Sequence, residues 1–107
     1  MNAILDQLKA LSDRNRLRIV AALLRTNELC ACQISEMLGV SGATASRHME
    51  LLIRAELVAS RKDGRWVHYK ISPNFPAHVR KWLEKPLSQD PEIKKDQSKV
   101  KIITGCV

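Results

Sequence analysis

The sequence predicts a mainly α-helical chain with one β-hairpin, and three observations carry that expectation. Between Cys30 and Arg54, apolar residues recur at helical spacing in two runs separated by Gly39-Val40-Ser41. Shortly after them, Asp63-Gly64 sits between two alternating segments, the sequence form of a two-residue hairpin turn. Of the 107 residues, 45% are hydrophobic but only 4% aromatic, which suits one helical domain with a core of Leu, Ile, Val, Ala and Met. Two helices across a tight turn followed by a hairpin make a winged helix-turn-helix. Its second helix can enter a DNA major groove, and the hairpin is the wing.

Each element has its own local reason. Ile4, Leu8 and Leu11, with Leu5 alongside, place an amphipathic helix over residues 3–11. Ser12 stands where an N-cap belongs, with Asp13 in the first turn of a second helix running to about Leu24. Leu17, Val20, Ala21 and Leu24 form its inward stripe, while Arg14, Arg16, Arg18 and Arg25 load other faces. Thr26-Asn27 breaks it, and Glu28-Leu29-Cys30 is a link. The third helix begins near Ala31 or Cys32, turns Ile34, Met37 and Leu38 inward, and ends at Gly39, which can take a positive φ. Ser41 caps the fourth helix, which runs to about Ala55 with Ala45, Met49, Leu52 and Ile53 inward. Leu57 to Lys62 and Arg65 to Ile71 are the hairpin strands, with Val67, Tyr69 and Ile71 on one face.

Pro73 and Pro76 bracket a loop before a last helix that runs to Lys85 and is stopped by Pro86. Phe75, Val79, Trp82 and Leu83 give that helix a narrow apolar stripe. The first and last helices thus carry more apolar surface than so small a core needs. They are expected to pair across a two-fold axis as a homodimer. Residues 1–85 form the DNA-binding and dimerisation domain in this reading. Residues 86–107, polar and Lys-rich until Val100-Lys-Ile-Ile, are expected to be a mobile tail carrying Cys106.

A net charge of +7 points to a polyanionic partner, since each phosphate met by Lys or Arg releases a counterion. The fourth helix is built for such a partner. At about 100° per residue, Ala43 and Arg47 face away from the core, flanked by Thr44 and Ser46, with Ser41 at the cap. Small hydroxylated residues and one Arg allow close approach to base edges and phosphates. Lys62 and Arg65, with Arg61 nearby, make the wing tip basic, so it can meet backbone or minor groove. Double-stranded DNA is the expected partner. Met1 to Asp6 lacks the features of a secretion signal and no apolar run is long enough for a bilayer, so a cytoplasmic, membrane-free protein is expected.

In a reducing compartment, thiols suggest metal or redox chemistry before structural disulfides. Cys30 and Cys32 are two residues apart. On a regular helix that separates them by roughly 200°. One ion takes both only if the first turn of the third helix unwinds or the pair lies in the link before it. In the first case, ion binding distorts the helix that packs on the DNA-reading helix and so weakens DNA binding. Soft thiolates select soft ions. His48 reads as structural or phosphate-touching, and neither His68 nor His78 has a metal-spaced partner in sequence. Enzyme chemistry is not expected. There is no Cys-X-X-Cys pair, no cysteine is followed six residues later by Arg, and no organic cofactor is implied.

Leu11-Ser-Asp-Arg-Asn-Arg-Leu-Arg-Ile19, Glu28-Leu-Cys-Ala-Cys-Gln-Ile34, Val40-Ser, Ser46-Arg-His-Met-Glu-Leu-Leu52 and Asp63-Gly-Arg with Tyr69 together resemble the ArsR/SmtB family of winged-helix, metal-sensing bacterial repressors. The resemblance covers roughly residues 3–85 and is greatest to the arsenical-responsive members. It implies a homodimer on a palindromic operator, autoregulation, and release when As(III) or Sb(III) binds Cys30 and Cys32. Arsenical repressors often have a third cysteine where this chain has Ser35, and the resemblance offers Cys106 as a substitute. Gly42 stands where many relatives have Gln, so no operator sequence is inherited. Zinc sensors of the family use Asp and His pairs on the last helix, where residues 73–86 offer His78 and Glu84. Cadmium or zinc response, and thiol oxidation as the signal, are the alternatives.

Overall fold

The computed structural model describes residues 2–104. Its elements are α1 (Asn2–Leu11), α2 (Arg14–Arg25), β1 (Leu29–Cys30), α3 (Ala31–Leu38), α4 (Gly42–Arg54), β2 (Val58–Asp63), β3 (Trp66–Ile71), α5 (Ala77–Gln89) and α6 (Pro91–Ile103). The expected class is observed: α3 and α4 are the helix-turn-helix, and β2 and β3 are the wing. No helix among the described residues is long and apolar enough to cross a membrane.

α2 is the centre of the fold. Ile19, Val20, Ala21, Ala22 and Leu23 are all buried, a wider face than the expected stripe, with Leu17 and Leu24 only partly covered. Helices α3, α4 and α6 and strand β3 surround it, so nearly every direction from its middle turns meets apolar side chains. Ile34, Met37 and Leu38 of α3 and Ala45, Met49 and Leu52 of α4 are buried as expected, whereas Ile53 stays exposed. Gly39 closes α3 at φ 70, the left-handed conformation that a Cβ disfavours.

The sequence-based boundaries need five corrections. Asp13, not Ser12, caps α2: its carboxylate accepts from the Arg16 N–H at 3.0 Å, while the Ser12 hydroxyl donates to Lys9 O at the end of α1. Both residue types can cap, and the choice follows from where α1 ends. The Glu28–Cys30 link contains a short strand: Leu29 pairs with Tyr69 and Cys30 with His68, giving a sheet of order β1-β3-β2. The hairpin turn is one residue later than expected. Asp63 pairs with Trp66, leaving Gly64 at φ 61 and Arg65 as the turn residues. Positive φ at the first turn position alone is the type II′ pattern.

Helix α5 does not stop at Pro86 but runs through it to Gln89, because burial of Leu87 one turn beyond Leu83 continues its inner stripe. The largest correction is the tail. Residues 91–103 form α6, packed on α2 and α3, where mobility was expected. Asp90 caps it, accepting from the N–H groups of Glu92 and Ile93, and Pro91 occupies its first turn. Ile93 and Val100 are buried, and Asp96 between them makes a two-pronged pair with Arg18, both contacts 2.8 Å. Cys106 lies outside the described residues.

The Asp13 cap supports a prediction. Burial works against its charge, but the Arg16 N–H bond and the charges of Arg16 and His48 outweigh it and hold the carboxyl below its usual range. A carboxyl whose folded pKa is depressed contributes stability that is present above its unfolded value, about 4, and lost as pH falls through the folded value. Asp13→Ala is expected to lower stability by about 1 kcal/mol at neutral pH. In urea unfolding at pH 7 and pH 3, the gap between the two proteins should narrow at the lower pH. A gap undiminished in acid would assign the loss to something other than the charged cap.

Candidate DNA interface and thiol pair

The exposed end of α4 is presented by three local devices. Gly39 turns the chain, the Ser35 hydroxyl donates across that turn to Val40 O at 2.6 Å, and Ser41 accepts from the Thr44 N–H at 3.2 Å. Ser35, where arsenical repressors often carry a cysteine, is thus a fastener of the helix-turn-helix. Ser41 also donates to the Thr44 hydroxyl at 3.0 Å, so these two side chains satisfy each other. Ser41, Ala43, Thr44, Ser46 and Arg47 are all exposed, while Ala45 among them and Met49 after them are buried. Gly42 is exposed as well, and a Cβ there would meet nothing within 4 Å.

His48 is an anchor. Its ring Nδ1 lies 3.3 Å from Arg16 Nη1 and 3.9 Å from Asp13, and its side chain is mostly buried. Arg16 also donates to Ala10 O at 2.8 Å. One arginine therefore ties the end of α1, the start of α2 and the inner side of α4 together, which fixes the angle at which α4 leaves the core.

On the wing, Lys62 and Arg65 are exposed. Among the described residues neither they nor Arg47 is in an ion pair. Arg61 is different. It donates to Glu28 through Nε at 2.8 Å and Nη2 at 2.7 Å, and that bond holds the Glu28 carboxyl below its ordinary range. The pair joins the segment before β1 to strand β2, and sequence reasoning missed it because its partners are 33 residues apart.

The two sulfurs of Cys30 and Cys32 lie 2.8 Å apart. Of the two arrangements open in the sequence, an unwound first turn or a pair in the link before the helix, the structure has the second for Cys30, which is not helical. It ends β1 and serves as the N-cap of α3 with φ −83 and ψ 162, an extended conformation that swings its side chain toward Cys32. The pair thus lies at the strand–helix junction, and no unwinding of α3 is needed to bring the thiols together. Cys30 is buried and Cys32 exposed, so one sulfur is anchored and the other open to solvent. The hydrogen bond from Cys30, then burial and the neighbouring sulfur's charge, push the Cys32 thiol up. The Gln33 side chain accepts from the Cys30 N–H at 2.9 Å and steadies the junction.

Donor chemistry of this kind fits a thiophilic ion, although among the described residues no three His, Cys, Asp or Glu side chains already surround one point. His68, set aside in the sequence for want of a spaced partner, is directly opposite Cys30 on β3. The period-2 face of the strand was legible; the register that brings His68 to Cys30 was not.

Comparison with known proteins agrees with this architecture. Residues 13–60 match the family model described as bacterial regulatory protein, arsR family. The arsenical resistance operon repressor of Escherichia coli K12 is 42% identical over 76 residues, 71% of this chain and 65% of that protein. The cadmium resistance transcriptional regulatory protein CadC of Listeria innocua is 48% identical over 63 residues, 59% of this chain and 53% of that protein. The chain thus spans between half and two thirds of the length of these relatives. Among solved structures, the homodimeric winged helix-turn-helix DNA-binding domain of Mb0332 from Mycobacterium bovis, a possible ArsR-family transcriptional regulator, superposes with a TM-score of 0.67 at 25% identity. That match covers 84% of this chain and 86% of the other. From its caps and turns to its wing, the chain belongs to the arsR family of bacterial regulatory proteins.

Proposed function

We propose that this protein is a homodimeric repressor that binds operator DNA and releases it when As(III) or Sb(III) binds the thiolates of Cys30 and Cys32. The observation that carries the proposal is the convergence of the two sulfurs at 2.8 Å on a residue shared by β1 and the cap of α3. Whatever Cys30 holds acts on two elements at once. Its backbone caps the helix that packs on α4, and its strand pairs with the wing strand β3. A ligand preferring one placement of this junction shifts the DNA-competent population, and DNA weakens that ligand by the same factor.

Ser41, Ala43, Thr44, Ser46 and Arg47 are assigned to the major groove, and Lys62 and Arg65 to the backbone or minor groove. Their common exposure and the free cations among them support the assignment. Dimerisation through α1 and α5 is supported by the uncovered apolar side chains of Ile4 at 58%, Leu8 at 58% and Trp82 at 69% exposure. The homodimeric state named for the Mycobacterium bovis domain agrees with it. Cys106 is proposed as a third thiolate. Helix α6 runs beside α2, and Thr104 lines a groove with Asn27 and Glu28, just before Cys30. Two further residues reach about 7 Å. The cadmium relative makes Cd(II) the second candidate inducer.

Fluorescence anisotropy of a labelled promoter duplex, titrated first with reduced protein and then with As(III), Cd(II) or Zn(II), tests the proposal. As(III) is expected to release the wild-type protein. Cys30→Ser/Cys32→Ser should bind DNA with unchanged affinity and ignore As(III). Release of that double variant by As(III) would refute the thiol site. The third thiolate is tested with Cys106→Ser and not by truncation, which would remove α6 and with it the partner of Arg18.

A further inference from the structure

Cys30 stands directly opposite His68, and His68 directly opposite Arg61, so the three form one row across β1, β3 and β2. Directly opposite residues share a face of the sheet with Cβ atoms about 4.5–5.5 Å apart. The neighbouring pair, Leu29 and Tyr69, points to the other face and is buried in the core. Glu28, just before β1, reaches the row with its side chain. While it holds Arg61, its Oε1 lies 3.8 Å from His68 Nδ1. At 3.8 Å this is not yet a hydrogen bond; once the ring turns so that Nδ1–H donates to Glu28, the carboxylate would fix the tautomer and leave the Nε2 lone pair for a metal. The His68 side chain is 25% exposed, so the ring can turn without disturbing the core.

We infer that His68 is a ligand, through Nε2, of a borderline divalent ion such as Zn(II) or Cd(II) held together with Cys30 and Cys32, with Glu28 orienting the ring. The inference rests on the proposal that the two cysteines bind metal, and it gives the same site a second class of occupant. Two thiolates and an imidazole suit Zn(II) and Cd(II), whereas soft trivalent arsenic is served by thiolates alone. Cys30 and Cys32, whose sulfurs already stand 2.8 Å apart, and His68, once its ring turns toward them, would hold the ion. The ion then links the start of α3 to the wing strand by coordination as well as by strand pairing, so divalent ions and arsenic act on the wing through different bonds.

The test uses the full, reduced chain with 15N-labelled histidine. On adding Zn(II), and separately Cd(II), the His68 Nε2 resonance is expected to move while those of His48 and His78 stay in place. His68→Ala should weaken Zn(II) and Cd(II) binding by at least about 10–100-fold, the cost of removing even an outer-shell partner, and leave DNA release by As(III) unchanged. A stationary His68 resonance, or Cd(II) affinity unchanged in the variant, overturns the assignment of His68 and leaves the thiol proposal standing. Undiminished Zn(II) and Cd(II) binding by Cys30→Ser/Cys32→Ser overturns the thiol proposal, and this inference with it. The resonance measurement is made on the wild-type chain and does not depend on how well the variant folds.

Discussion

Asp96→Ala is expected to destabilise the fold by about 3–5 kcal/mol, the cost of leaving a buried arginine without its carboxylate. The Arg18 and Asp96 side chains are 11% and 4% exposed, and Nε and Nη2 donate to the two carboxylate oxygens at 2.8 Å each. That bonding raises the basicity of Arg18 in spite of its burial. The same guanidinium donates to the Asn15 side chain and, at 3.4 Å, to Met37 O near the end of α3, where the Lys99 ammonium also donates. Two cations at a helix C-terminus complement its dipole, and together these bonds join α2, α3 and α6. Arg14–Glu92 is the contrast: at 3.6 Å with side chains 81% and 41% exposed, it should contribute less than about 1 kcal/mol. Urea unfolding at pH 7 measures both. The Arg18→Met/Asp96→Leu double variant should recover most of the loss, since apolar side chains of similar volume replace a buried pair at little cost. An Asp96→Ala effect no larger than that of Glu92→Ala would mean that α6 is not fastened by this pair.

What the sequence made legible is what local chemistry decides. Gly39 and Ser41 mark the turn of the helix-turn-helix because a left-handed φ and a side-chain cap involve only neighbouring residues. The inward faces of α3 and, Ile53 apart, of α4 follow from spacing alone. What stayed hidden depends on partners far along the chain. The start of α6 is written in Asp90-Pro91-Glu92, but its stripe has only Ile93 and Val100 as buried apolar anchors. Asp96 completes it, and a carboxylate reads as solvent-facing until its partner 78 residues away is known. Which of its two open placements the thiol pair takes stayed hidden for the same reason. Spacing of two on a helix separates side chains, but Cys30 belongs to a strand because it pairs with His68. That pairing brought the sulfurs together and set His68 beside them, and neither was available from a periodicity.

Arg47→Ala is expected to reduce operator binding by a factor of roughly 30 or more. Arg47 is exposed on α4, opposite the buried side chains that hold the helix, with small or hydroxylated exposed residues at Ala43, Thr44 and Ser46. Alanine is a strong helix former, so the substitution should leave the fold intact. A two-pronged arginine–guanine contact gives about 1–3 kcal/mol of discrimination. The proposed homodimer loses it twice, about 2–6 kcal/mol in all, or a factor of roughly 30 at the least. Specific binding in such proteins exceeds non-specific binding by about 10³–10⁷, so a loss of roughly 30-fold or more cuts deeply into the margin when it is near 10³ and only partly when it is larger. Lys62→Ala should behave differently. A phosphate contact at the wing lowers affinity for every sequence alike and flattens the salt dependence by about one counterion per protomer. Anisotropy titrations with the promoter duplex and a scrambled duplex, at several matched salt concentrations, separate the two kinds of contact. Equal losses on both duplexes would place Arg47 on the backbone, and unchanged promoter affinity would refute the docking of α4 in the major groove.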